Sequence, residues 1–216
     1  MRWLMSDFST RAKLTTEFIG TLFLTLAICT AAVLGTAGAL APFAIASTLM
    51  VMIYAGGHIS GAHYNPAVTL SIYLRGACKK SDLAPYIATQ LVAGTTGAII
   101  AVNMLVPEGN VEQIVLETGP AFTAELLFTF ALAYVILNVA TSESTEGNGF
   151  YGAAIALVVL AGALSVGSIS GASFNPAVTV ALIASGTLGV EDSWIHFIPQ
   201  VVGGCLAALV FKAQRV

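Results

Sequence analysis

Residues 57–69 read GHISGAHYNPAVT, and residues 167–179 read GSISGASFNPAVT. Ten of the thirteen positions are identical, and each residue of the first stretch has its counterpart 110 places further along the chain. The same offset relates Gln90 to Gln200, whereas Glu17 and Glu125 are 108 apart. A period of this length is too long for a solenoid repeat. The chain is therefore a duplicated unit, and we expect its function where the two copies meet.

The composition is that of a membrane protein. Hydrophobic residues make up 57% of the 216 residues, charged residues make up 9%, and the mean hydropathy is +0.89. Soluble domains carry about 25% charged residues. The three cysteines, Cys29, Cys78 and Cys205, are far apart and odd in number, so they predict neither a disulfide framework nor a metal site. A net charge of −3 without a basic block gives no indication of nucleic-acid binding.

Six stretches are apolar enough to cross a bilayer, which takes about 20 residues. They predict helices near residues 12–35, 40–57, 83–106, 120–141, 150–167 and 194–212. Three fall in a first repeat of about 12–106 and three in a second of about 120–213, within a single domain spanning residues 1–216. Because three spans is an odd number, the second repeat enters the membrane upside down relative to the first.

The basic residues orient the chain. All eight lie at the N-terminus, between spans two and three, or at the C-terminus, and these regions share one side: Arg2, Arg11, Lys13, Arg75, Lys79, Lys80, Lys212 and Arg215. The positive-inside rule makes that side cytoplasmic. We therefore expect an integral multi-pass protein, in the cell membrane, with both termini in the cytoplasm.

Two shorter apolar stretches, residues 66–74 and 176–184, follow the repeated motifs. At 1.5 Å per residue each reaches about 14 Å, which is half of a bilayer about 30 Å thick. We expect two half-helices that enter from opposite faces, each after a non-helical loop that begins at Gly57 or Gly167. Irregular backbone at that depth requires burial in protein or a wet cavity. This pattern indicates a pore.

The motif Asn-Pro-Ala is typical of a helix start, since Asn is a preferred N-cap and Pro suits the first helical position. We expect the half-helices to begin at Asn65-Pro66-Ala67 and Asn175-Pro176-Ala177. If each Asn oxygen caps its own helix, the amide nitrogens keep donors for the lumen. Water oriented by both amides could not relay protons, and two helix dipoles of about +0.5 charge each would oppose cations.

These two motifs, in an inverted repeat of six spans, resemble the aquaporin family, also called the major intrinsic proteins. The resemblance implies an all-α membrane protein with six transmembrane helices plus two re-entrant half-helices, a pore in every subunit, and a homotetramer. A structural role for Glu17 and Glu125, the acids within the predicted spans, agrees with it. Each carboxylate would accept hydrogen bonds from the loop of its own half; a proton or ion relay is the alternative.

Two histidines receive weaker assignments. His63 lies in the first loop, where Ser173 takes its place in the second. Loop packing and a polar position at the pore both remain open for it. His196 stands close to Trp194, and the sequence predicts an interfacial position without a functional role.

The chain departs from the family at its outer constriction. Water-selective members resemble one another in an arginine that directly follows the second Asn-Pro-Ala, and here that residue is Val178. Offsets from the motifs carry the other constriction positions to Ile45, Ala163 and Ala172. This quartet has no charge, no aromatic ring and no side-chain donor. It predicts a wider or a gated pore, because apolar constrictions also close by dewetting.

The sequence thus predicts a passive channel for water, small uncharged solutes or both, which needs no cofactor and no metal. It carries no nucleophile–base constellation, so we do not expect an enzyme. Two alternatives stay open. One is an ion-coupled secondary transporter, since inverted repeats and broken helices also occur there. The other is a structural membrane protein whose pore has closed.

Overall fold

The structure is a computed structural model that describes residues 8–214, and in these residues it is helical with connecting loops and no strand. Among the described residues, six long helices are apolar enough to cross a membrane, and one short helix completes each half. In chain order they are α1 (Thr10–Ile28), α2 (Ala41–Ser60), α3 (Pro66–Arg75), α4 (Lys80–Ile100), α5 (Thr118–Thr141), α6 (Tyr151–Ser170), α7 (Pro176–Ala184) and α8 (Trp194–Ala213). The six spans and the two half-helices are those predicted.

Several boundaries differ from the prediction. Helices α2 and α6 run through Gly57 and Gly167 to Ser60 and Ser170, so the loops begin four residues later than expected. The reason is that Gly61 and Gly171 take the left-handed conformation that ends a helix, with φ of 92° and 79°. The earlier glycines remain helical, because a glycine within a helix weakens it without ending it.

The third span also begins earlier than residue 83. Helix α4 starts at Lys80, which places Asp82 in its first turn. The expectation that Glu17 and Glu125 are the acids within the spans is therefore wrong, because Asp82 belongs to this span as well. At their far ends α1 and α4 continue as π-helical turns over Cys29–Val33 and Ala101–Leu105.

The half-helices exchange partners between the two repeats. Helix α3 packs mainly on α8 of the second half, and α7 packs mainly on α4 of the first half, while α2 and α6 also meet across the halves. Glycines permit the close approach. A Cβ on Gly204 would lie 2.8 Å from the carbonyl oxygen of Ala67, and a Cβ on Gly94 would collide with that of Ala177. The helices contact through backbone atoms, as small residues allow.

The described chain begins and ends on one side of the molecule, which we call the terminal face. Helix α1 starts there beside the start of α4, since Lys13 contacts Asp82. The end of α3 meets the ends of α5 and α8 there, because Arg75 donates to Thr141 and lies over the ring of Phe211. The loop before α3 therefore enters from the terminal face, and the loop before α7 enters from the opposite face.

Candidate pore

A cavity of about 430 Å³ reaches from the terminal face to the opposite face. At one end its wall is formed by Lys13, Cys78, Lys79 and Asp82, a set that we call the terminal mouth. At the other end it is lined by Ile114, Ala172 and Thr187. Asn65 and Asn175 line it between these ends. The cavity therefore passes the point where the two half-helices meet.

Both Asn side chains cap their own half-helix. The Oδ1 atom of Asn65 accepts from the backbone N–H of Ala67 at 2.9 Å, and that of Asn175 accepts from Ala177 at 2.9 Å. The proline of each motif occupies the first helical turn, where its missing N–H costs no hydrogen bond. The positive ends of both helix dipoles consequently lie at the centre of the cavity.

The amide nitrogens tie the two loops together. Asn65 donates from Nδ2 to the carbonyl oxygen of Phe174, and Asn175 donates to that of Tyr64, both at 2.9 Å. An amide nitrogen carries two hydrogens. The opposite loop therefore takes one hydrogen of each amide nitrogen. Each Asn retains a single N–H for a molecule in the cavity.

Each loop carries two non-glycine residues in the left-handed region. Ala62 and Tyr64 in the first loop, and Ala172 and Phe174 in the second, all have φ of 50° or 51°. Such conformations cost on the order of 1–3 kcal/mol each and persist where surrounding contacts over-determine them. They turn the backbone N–H groups of the loops toward a buried acceptor.

That acceptor is Glu17 in the first half and Glu125 in the second, and both are fully buried. Glu17 accepts from the backbone N–H groups of His63 and Tyr64 at 3.0 and 2.8 Å. It also accepts from the Ser60 hydroxyl at 2.6 Å and from Nε2 of Gln90 at 2.8 Å. Neither glutamate is among the residues that line the cavity within the described chain.

The second half repeats these contacts. Glu125 accepts from the backbone N–H groups of Ser173 and Phe174, the Ser170 hydroxyl and Nε2 of Gln200, at 2.7 to 3.0 Å. No role was predicted from the sequence for Ser60, Ser170, Gln90 or Gln200. The sequence nevertheless marks these residues, because they are polar residues in apolar spans that recur at the 110-residue offset.

All four proposed constriction residues line the cavity. Val178 and Ile45 are 3% and 8% exposed, and Ala163 and Ala172 are partly buried. Val178 lies in the first turn of α7, directly after Ala177. The wall at these positions is aliphatic, and whether the four form the narrowest ring stays a prediction.

His63 combines both positions that the sequence left open. It is 9% exposed, packs edge-on against the ring of Tyr86, and lines the cavity. Its Nδ1 lies 3.2 Å from the Thr69 hydroxyl oxygen, and that hydroxyl donates to the carbonyl oxygen of Asn65 at 2.9 Å. We therefore assign the hydrogen to Nδ1, which leaves Nε2 as an acceptor.

The position predicted for His196 is wrong. It is fully buried, although the sequence predicted an interfacial position beside Trp194, which is 45% exposed. His196 stands one helical turn before Gln200, and residues four apart share a helix face. Because Gln200 faces Glu125, His196 is turned toward the interior as well.

The chain is similar to known proteins of one family. The family described as major intrinsic protein matches residues 4–211. Aquaporin NIP1-2 of Arabidopsis thaliana is 33% identical over 221 residues, covering 94% of this chain and 74% of that protein. Aquaporin NIP1-3 of Oryza sativa subsp. japonica is 35% identical over 217 residues, covering 94% and 73%.

The fold has a solved counterpart. The X-ray structure of the aquaglyceroporin from Plasmodium falciparum superposes with a TM-score of 0.73 at 20% sequence identity, over 95% of each chain. At this identity the likeness concerns the fold. Taken with the family match and the relatives, it shows that the chain belongs to the major intrinsic protein family and is a passive membrane channel for water and small solutes.

Proposed function

We propose that this channel passes uncharged solutes larger than water, such as urea, together with water. The observation that carries the proposal is Val178, which lines the cavity in the first turn of α7 where water-selective members of the family resemble one another in an arginine. With Ile45, Ala163 and Ala172 it offers no charge and no side-chain donor. A solute at these positions meets methyl groups instead of a cationic side chain.

The two Asn-Pro-Ala motifs are proposed to oppose protons and cations. Asn65 and Asn175 each keep one N–H for the lumen, and both half-helix N-termini lie beside them. A water molecule held by both amides has its oxygen fixed, so its hydrogens cannot complete a chain to the waters on either side. The dipoles add a positive potential at the same place.

We propose a homotetramer in the cell membrane with the terminal face in the cytoplasm. The basic residues on that face, among them Arg75, Lys79 and Lys80, support the orientation by the positive-inside rule. The tetramer is supported by the family alone.

An ion-coupled transporter is not favoured, because the buried acids lack the freedom that coupling requires. Glu17 and Glu125 each accept four hydrogen bonds from their own half and lie outside the cavity wall. Intramembrane acids that relay ions face a water-filled path.

The test compares wild type with Val178→Arg and Val178→Met in proteoliposomes by stopped-flow light scattering. Arg narrows the pore and adds a charge, whereas Met narrows it without a charge. We expect Val178→Arg to lower urea entry on the order of tenfold while water flux is retained, since pore diameter and lining charge set selectivity. Unchanged urea entry in a variant that still conducts water would show that Val178 does not lie at the constriction.

A further inference from the structure

The charges along the cavity wall are unevenly placed. Among the described residues that line it, Lys13, Lys79 and Asp82 carry charge, and all three belong to the terminal mouth. From His63 to the opposite face the wall is made of uncharged side chains. Fixed charges therefore act on a permeating solute at one end of this pore, and that end is far from Val178.

Lys13 and Asp82 form a buried ion pair in that mouth. The Lys13 Nζ atom lies 3.2 Å from Oδ2 of Asp82, and the two side chains are 11% and 12% exposed. Lys13 stands in the first turn of α1 and Asp82 in the first turn of α4, where the helix dipole also favours a carboxylate. The contact thus holds both side chains in fixed positions at the terminal mouth.

A purely structural pair would not need this location. A buried ion pair adds little net stability, because desolvation offsets much of the attraction. Here both charged groups also form part of the cavity wall. In other channels, charged side chains that line the pore select ions. Two lysines against one aspartate leave a net positive charge at the terminal mouth.

We propose that Lys13 is a specificity-determining residue: its ammonium group, held at the wall by Asp82, is the fixed charge that opposes cations at the terminal mouth. Asp82 is the positioning residue. The inference rests on the chain being an open channel. It assigns to the terminal mouth a share of the cation exclusion that the aliphatic wall near Val178 does not provide.

The experiment measures the leak of K⁺ into proteoliposomes with an internal potassium-sensitive dye, beside water flux in the same preparations. The variants are Lys13→Met, Lys13→Arg and Asp82→Asn. Lys80→Gln is the matched control, because Lys80 is exposed, lies in the first turn of α4 and does not line the cavity. The water flux of the wild-type protein tests whether the channel is open. The comparison of K⁺ leak between variants tests the role of Lys13 independently of that result.

We expect Lys13→Met to raise the K⁺ leak on the order of tenfold, because it removes the ion-pair partner of Asp82 and cancels the net positive charge of a mouth whose effective dielectric is below that of water. Asp82→Asn leaves a bare ammonium and should hold the leak at or below wild type. Lys13→Arg and Lys80→Gln should match wild type. A pair that only holds α1 against α4 would change the leak in the same direction in Lys13→Met and Asp82→Asn.

The inference is overturned if folded, water-conducting Lys13→Met leaks no more K⁺ than wild type, or if Asp82→Asn raises the leak equally. Should Lys13→Met fail to fold, the double variant Lys13→Gln/Asp82→Asn takes its place, because it removes the ammonium without isolating the carboxylate. The inference requires a raised leak in the double variant, and an unaltered leak there rejects it.

Discussion

At the residue scale, the buried carboxylates hold the re-entrant loops in place. Glu17 and Glu125 are acceptors for backbone N–H groups that the left-handed residues of each loop turn inward. Buried polar groups require partners, and a carboxylate supplies acceptors without any donor of its own. The loops would otherwise bury unpaired N–H groups at the centre of the membrane.

Replacing either carboxylate by an amide should therefore lower stability. In Glu17→Gln and Glu125→Gln an NH₂ group faces N–H donors, and we expect a loss of about 2–3 kcal/mol each from hydrogen bonds to a charged group. Thermal unfolding of the detergent-solubilised protein measures this loss of stability. Glu112→Gln is the control, since Glu112 is exposed. Unaltered stability together with abolished pH-dependent transport would instead support a relay.

The Cys78 thiol gives a chemical test of the terminal mouth. It lines the cavity, and burial, with a smaller effect of Asp82, raises its pKa to about 11. A raised pKa keeps the thiolate scarce at pH 7. As long as the pH stays below the pKa, each increase of one pH unit raises the thiolate fraction about tenfold.

We expect a methanethiosulfonate reagent to modify Cys78 faster from pH 7 to pH 9 and to lower water flux as it does so. The measurement uses a variant in which Cys29 and Cys205 are replaced by alanine. Cys78→Ala in that background should be insensitive to the reagent. Modification that does not alter flux would contradict the position of Cys78 at the mouth.

At the scale of elements, the half-helices depend on glycines of the opposite repeat. Gly204 and Gly94 lie against the carbonyl groups of Ala67 and Ala177. Backbone atoms cannot move aside as a flexible side chain can, so an added methyl group must separate the half-helix from its partner span.

Gly94→Ala and Gly204→Ala should each lower the stability of the protein by about 1–3 kcal/mol, the usual effect of overpacking. Gly119→Ala is the control, because a Cβ there meets no atom within 4 Å and Gly119 lies in the first turn of α5. Thermal unfolding in detergent distinguishes them. Equal stability of all three variants would show that the half-helices do not pack so closely.

These elements also show what the sequence could and could not predict. The starts of α3 and α7 were predictable because capping by Asn and Pro is local. The ends of α2 and α6 were not, since Gly61 and Gly171 end them while Gly57 and Gly167, equally glycines, do not. The Gln90 and Gln200 contacts depend on helices that meet only after folding, although their repeated spacing marked them.

At the scale of the whole molecule, the inverted repeat explains a symmetric centre with asymmetric ends. The hydrogen bonds of Asn65 and Asn175, and those of Glu17 and Glu125, correspond between the halves. The charges of the terminal mouth have no such counterpart on the cavity wall at the opposite face within the described residues. The two repeats together place a pair of amide donors at the centre of the cavity, and we expect the residues at its two ends to set selectivity.

The function of the channel is tested by the osmotic water and urea permeability of wild-type proteoliposomes, measured by stopped-flow light scattering against protein-free vesicles. An open channel with an aliphatic constriction should show fast water efflux and urea entry that both exceed the protein-free rates. Water efflux without urea entry would contradict the widened constriction, and water efflux no faster than in protein-free vesicles would contradict an open channel.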